Sequence, residues 1–207
     1  MEQHIVVIGG GVAGARAAEG ARDAGHEGPI TIVSSAKVAP YNRPPLKDLL
    51  SGASDFDDAL VLDETWFEEN GVELRLETRV NLIDAERQLA IIDGTDQLAY
   101  AELILATGSY PKRLDLDGGH LSLIGSLRTV QDAHVIRELF ERQGRVVIVG
   151  SGWNGTEVAA AARGHGCDVT IVSRSSTPLQ RTLGEQLGAY LRELHETKGV
   201  KFVTGTT

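Results

Sequence analysis

Apolar residues along this chain fall into short runs divided by glycine turns and by stretches of helical spacing. The first run, Ile5–Ile8, is four β-branched residues and predicts a buried strand. Ala-rich residues 13–24 follow with helical composition, and Ile30–Val33 is a second strand. Pro40, Pro44 and Pro45 then force extended or turn geometry, with a helix starting near Lys47. Residues 63–70 predict a short helix with Gly71 at its C-cap. Three strand-like pieces, 72–76, 80–84 and 88–93, predict a small antiparallel meander, with Asp93-Gly94 as a turn signal. Residues 103–106 form another buried strand, ending at Thr107-Gly108. A domain boundary falls at 109–112. Residues 130–142 predict a helix with Ala133, Ile136, Leu139 and Phe140 at core spacing. A strand at Arg145–Val149, a helix over 156–163 and a strand over 168–172 complete the reading, and the end of the chain at 199–205 falls within this second domain.

The first strand runs directly into Gly9, Gly11 and Gly14, spaced G-x-G-x-x-G. This spacing has a mechanical reason. The first glycine allows the tight turn, the second lets the backbone approach a pyrophosphate, and the third lets helix and strand pack closely. Phosphate then meets free N–H groups at the positive end of the helix dipole. Glycine-rich turns are common, so one such triplet is weak. The pattern recurs about 140 residues later as Gly150, Gly152 and Gly155, again between a strand and a helix. Two copies, each with its second strand in place, imply two dinucleotide sites.

An acid that would hold ribose hydroxyls belongs about 20 positions past each triplet. After the first triplet that place holds Ser34, Ser35, Ala36 and Lys37, and after the second it holds Ser173-Arg174. At the second site a missing carboxylate removes repulsion from a 2′-phosphate and Arg174 can pair with it, which predicts NADP(H) over NAD(H). The bland alternative is an exposed loop charge, as it is for Arg43 and Lys47 taken alone.

Composition narrows the classes. A net charge of −9 over 207 residues argues against a nucleic-acid surface. Cys167 is the sole cysteine, which excludes an intrachain disulfide and any C-x-x-C redox or zinc motif. It precedes a strand and reads as a core thiol. The N-terminus lacks the basic flank of a secretory signal, and no apolar run approaches the roughly 20 residues of a bilayer span. The expectation is a soluble cytoplasmic protein with no membrane partner and no metal site.

Two such motifs around a meander, with Ala106-Thr-Gly108 ending a strand, resemble the FAD-dependent pyridine nucleotide oxidoreductases. Pro40-Tyr-Asn-Arg-Pro-Pro-Leu-Lys47 and Ser126-Leu-Arg-Thr-Val-Gln-Asp132 resemble the ferredoxin, putidaredoxin and rubredoxin reductase branch. The resemblance implies an α/β fold of two Rossmann-like domains, 1–110 for FAD and 111–207 for NAD(P), both incomplete relative to the family. FAD would lie on Gly9, Gly11, Ala13 and Gly14, with Ser35 at the family's acid position. Arg43, Lys47, Val80, Thr107, Gly108 and Arg128 match its other contacts. The nicotinamide cofactor would sit on Gly150, Gly152 and Gly155. Glu157 matches a glutamate that pairs with Lys47 beside the flavin. Hydride would pass from NAD(P)H to the flavin, and single electrons to a ferredoxin-type iron–sulfur protein.

The chain departs from that pattern at Ser35 and in lacking a serine between Leu46 and Lys47. It also ends inside the second domain. The family continues from there, which leaves three readings: a fragment, a chain whose sheet edges are covered by a partner chain or a dimer, or a decayed relative. Two alternatives stand beside the reductase. One is a non-catalytic nucleotide-binding module. The other is a reductase with a different acceptor, such as a nitrite-reductase flavin component or a monodehydroascorbate-type enzyme.

Overall fold

The computed structural model describes residues 3–206 apart from 95, 116, 120 and 122. The chain divides into two compact units. One comprises the residues up to Asn42 together with Ala59–Tyr110; the other comprises Arg43–Asp58 and the residues from Pro111 onward.

In the first unit, strand β1 (Ile5–Ile8), helix α1 (Val12–Asp23) and strand β2 (Ile30–Val33) form a parallel crossover with Ile5 opposite Ile30. Its sheet has the order β3-β2-β1-β7, with β3 at Val72–Arg75 and β7 at Glu102–Leu105. Alternation along β1 splits the core. Val7 joins Ala15, Ala18, Ile30, Ile32, Phe67 and Val72 on the helical face. Val6 and Ile8 join Val33, Ala90, Ile92, Leu98 and Tyr100 on the other face. That second face is covered by the antiparallel meander β4 (Val80–Asp84), β5 (Leu89–Ile92) and β6 (Asp96–Ala99).

The expected meander is therefore shifted by one strand. Residues 72–75 pair parallel with β2 instead of opening the meander. The cause is the connection: after β2 the chain passes through a helix, α3 (Glu64–Glu69, capped by Asp63), and a helical crossover returns parallel. Val72 then buries beside Phe67 of α3. The place left in the meander is taken by β6, whose Asp96-Gln97 start has little strand character.

The second unit repeats the first arrangement. Strand β8 (Arg145–Val149), helix α5 (Trp153–Gly164), strand β9 (Asp168–Ser173), helix α6 (Gln180–Thr197) and strand β10 (Lys201–Thr204) give a parallel sheet ordered β10-β9-β8. Helix α6 is absent from the sequence-derived elements, and Gly184 breaks its helical backbone near the start. Helix α4 (Val130–Glu141) opens on a capping box: Thr129 Oγ1 accepts from Asp132 N–H, and Asp132 accepts from Thr129 N–H.

Helix α2 (Leu46–Ser51) also belongs to this second unit. It buries Leu46, Leu49 and Leu50 and packs on α4 and α5. The sequence reading runs the first domain unbroken from 1 to 110, whereas here residues 43–58 leave it and return. Among the described residues no helix is long and apolar enough to cross a membrane.

Candidate functional site

Each glycine triplet turns its strand into its helix in the same way. Gly9 (φ 121°) donates to Val33 O, and Gly150 (φ 105°) donates to Val172 O, so each turn is tied to the end of the neighbouring strand. These φ values are ones that L side chains rarely adopt, which is why glycine stands at both positions. A Cβ on Gly14 would overlap Gly9 O, and a Cβ on Gly155 would overlap Gly150 O. The third glycine of each triplet is thus a packing requirement.

The middle glycines differ in kind. A Cβ on Gly11 or on Gly152 would meet nothing within 4 Å. Among the described residues no neighbour forces either to be glycine, so both leave room for a group from outside. Each is also the N-cap of its helix, and no side chain caps either one. The surface helices α3 and α4 do carry side-chain caps, from Asp63 and Thr129. Open backbone N–H groups at two uncapped helix starts are what an anionic pyrophosphate needs.

Beside each turn lies a serine at the end of the second strand. Ser34 is buried, and its Oγ accepts from Ala36 N–H at 3.1 Å. Ser173 is buried, and its Oγ accepts from Ser175 N–H at 3.2 Å. Ser35 and Arg174 follow them at matching positions, and both are exposed. Gly10 packs on Ser34, whereas its counterpart Ser151 meets Ser173, Oγ to Oγ, at 2.7 Å.

The remaining candidates sit in two groups. In the first unit Ala13, Thr107 and Gly108 are exposed, and Val80 is half-buried on the meander core. In the second unit Arg43 is exposed, while Arg128 is partly buried with its backbone N–H on Asp132. Lys47 of α2 and Glu157 of α5 form an ion pair at 3.2 Å, with side chains 41% and 35% exposed. These residues are 110 apart in sequence, and the serine missing before Lys47 does not keep the two from meeting. Cys167 is fully buried, burial pushes its thiol pKa up, and its Sγ faces Phe140 O at 3.5 Å. A protonated thiol in apolar surroundings is a poor nucleophile.

Two arginines escaped the sequence reading. Arg22 donates to four carbonyls, of His26 (2.5 Å), Asn70 (2.7 Å), Gly28 (2.8 Å) and Gly71 (3.0 Å). Arg163, at the same offset past its glycine triplet, donates to Cys167 O and to Lys198 O and lies against Gly199. Each locks the crossover helix to the chain that enters the third strand. The signal was present in sequence as an arginine repeated at equal distance from both triplets.

The profile of the pyridine nucleotide-disulphide oxidoreductases matches residues 3–207. The ferredoxin–NAD(+) reductase component of an anthranilate 1,2-dioxygenase system from Burkholderia cepacia is 40% identical over 206 residues, 98% of this chain and 50% of that protein. Putidaredoxin reductase of Pseudomonas putida is 33% identical over 98% of this chain and 49% of that protein. Among solved structures, a covalent putidaredoxin reductase–putidaredoxin complex superposes with a TM-score of 0.92 at 32% identity, covering all of this chain and 50% of that one. The chain thus spans about half the length of the relatives it matches.

Proposed function

The chain belongs to the pyridine nucleotide-disulphide oxidoreductase family, and from that premise we propose that it works as a flavoprotein reductase, carrying electrons from NADH through FAD to a ferredoxin-type iron–sulfur protein. The observation that carries this reading is the pair of matched turns, each with an open middle glycine at an uncapped helix start. Two relatives named as reductases of ferredoxin and of putidaredoxin support the choice of acceptor.

FAD is assigned to the first turn, on Gly9, Gly11, Ala13 and Gly14, with Ser35, Val80, Thr107 and Gly108 around it. Arg43, Lys47 and Arg128 are assigned to it by their match to the family's contacts. Held there, FAD would supply the chemistry of accepting a hydride and passing on single electrons. The nicotinamide dinucleotide is assigned to Gly150, Gly152 and Gly155, with Ser173 and Arg174 at its ribose. The Lys47–Glu157 ion pair is assigned, by its match to the family, the role of tuning charge at the flavin. Relatives named for NAD(+) support NAD(H) in place of the 2′-phosphorylated form expected from Arg174.

An absorption spectrum of the purified protein tests this directly. Flavin bands near stoichiometric level, bleached on adding NADH, are expected, with NADH bound more tightly than NADPH. A colourless protein that FAD does not reconstitute, yet that binds NADH, would instead make the chain a non-catalytic nucleotide module.

A further inference from the structure

Helix α2 is six residues long, too short to persist on its own in water. It nevertheless carries Lys47. No side chain caps its first turn, and its last turn ends on Gly52 in the left-handed conformation (φ 76°). In that last turn Asp48 O accepts from Ala53 N–H at 2.9 Å and Leu49 O from Gly52 N–H at 3.3 Å, and side chains of the neighbouring helices add further donors. Leu50 O accepts from His165 Nε2 at 2.8 Å, and Leu49 O accepts from Arg137 Nη1 at 3.4 Å. A carbonyl only accepts, so His165 carries a proton on Nε2. Arg137 stands on α4 and also lies against Gly52. His165 is the C-cap residue of α5, and its ring rests on Phe140 of α4 with centroids 6.0 Å apart.

Helix α5 therefore grips α2 twice: Glu157 holds Lys47 in the first turn and His165 holds the carboxyl end. Between the grips lies a cavity of about 450 Å³, lined in part by Lys47, Asp48, Ser51, Glu157 and Gly164. Space beside the ion pair means that packing around the lysine head does not by itself fix it.

We propose that Arg137 and His165 are positioning residues for Lys47, binding the last-turn carbonyls of α2 so that the lysine stays at Glu157. The redox consequence rests on the proposed flavin reading; the positioning does not.

The test is the reactivity of the Lys47 amine toward acetic anhydride, read by mass spectrometry against exposed Lys112 in the same sample, with Glu157→Gln setting the upper limit. His165→Ala and Arg137→Ala should each acylate Lys47 about fivefold faster, the population change that one lost hydrogen bond produces. His165→Gln keeps an N–H donor for Leu50 O and should return the rate to that of the parent. In flavin-loaded protein the same variants should slow flavin reduction by NADH, and should slow it no further in a Lys47→Met background. Unchanged acylation in both alanine variants overturns the proposal, as does a failure of His165→Gln to restore the rate. Where His165→Ala does not fold, the half-buried Arg137→Ala decides alone. Faster acylation with unaltered flavin reduction leaves the positioning standing and overturns the redox role of Lys47.

Discussion

Gly9 and Gly150 share a backbone conformation and donate to equivalent acceptors, Val33 O and Val172 O, yet their surroundings differ. A methyl group on Gly9 would strike the carbonyl of Ala106, while one on Gly150 would meet nothing. The reason is sheet order. Strand β1 lies between β2 and β7, whereas β8 pairs only with β9 among the described residues. The sheet faces differ in the same sense. Val6 and Ile8 are buried under the meander, but Val147 is 66% exposed and Val149 is 55% exposed. One repeat, used twice, thus gives an enclosed turn and an open one. The turn geometry is set by the strand, the glycines and the helix, and is indifferent to what covers the sheet.

The largest effect that would sharpen this contrast comes from the first glycines. Gly9→Ala adds a backbone clash to an unfavourable φ and should cost its unit about 3 kcal/mol or more. Gly150→Ala meets only the conformational penalty and should cost about 1 kcal/mol. Hydrogen exchange of each unit's amides against urea reads the two separately; equal losses would break the comparison.

Next come the arginine locks. Arg22→Ala leaves four carbonyls without their charged donor, and Arg163→Ala at least two. Each variant should lose about 2 kcal/mol in its own unit, the first slightly more, with the other unit's exchange unchanged. A smaller effect is expected at the second position of each triplet. Ser151→Gly removes the bond to Ser173 and should cost about 1 kcal/mol, whereas Gly10→Ser forces a side chain onto Ser34 and should cost more.

How much of this was legible follows from where the information lies. Glycine spacing, the strands flanking it and the apolar face of α4 are local patterns, and all were read from sequence. Strand β3 was assigned to the meander because alternation over residues 72–76 says nothing about which neighbour the strand will take. The helical crossover decides that. Helix α6 was missed because Gly184 and Gly188 dilute its pattern; Gly188 is there because a Cβ would press on Thr177 and Pro178. The Lys47–Glu157 pair came only from family resemblance, since no local rule joins residues 110 apart. Arg137 and His165 act through main-chain carbonyls, which leave no trace in residue type.

The smallest predicted effect is on pH dependence. Burial lowers the pKa of His4 below its ordinary value of 6.5 in the first unit, against a pull from Glu73, and burial does the same for His195 in the second. The unfolded chain therefore takes up these protons first as the pH falls. Stability should decline from about pH 6.5 down to the folded values and then level off. His4→Gln should flatten that slope in the first unit only and His195→Gln in the second only, as read by exchange at pH 7 and at pH 5.

The central claim is that the two open middle glycines receive two different nucleotides. Gly11→Val and Gly152→Val test it most directly, because a Cβ at either position meets nothing within 4 Å among the described residues. With flavin content and NADH affinity measured on both, the account predicts that Gly11→Val loses flavin and still binds NADH. It predicts that Gly152→Val stays yellow and loses NADH. Full flavin in Gly11→Val, or unweakened NADH binding in Gly152→Val, would contradict it.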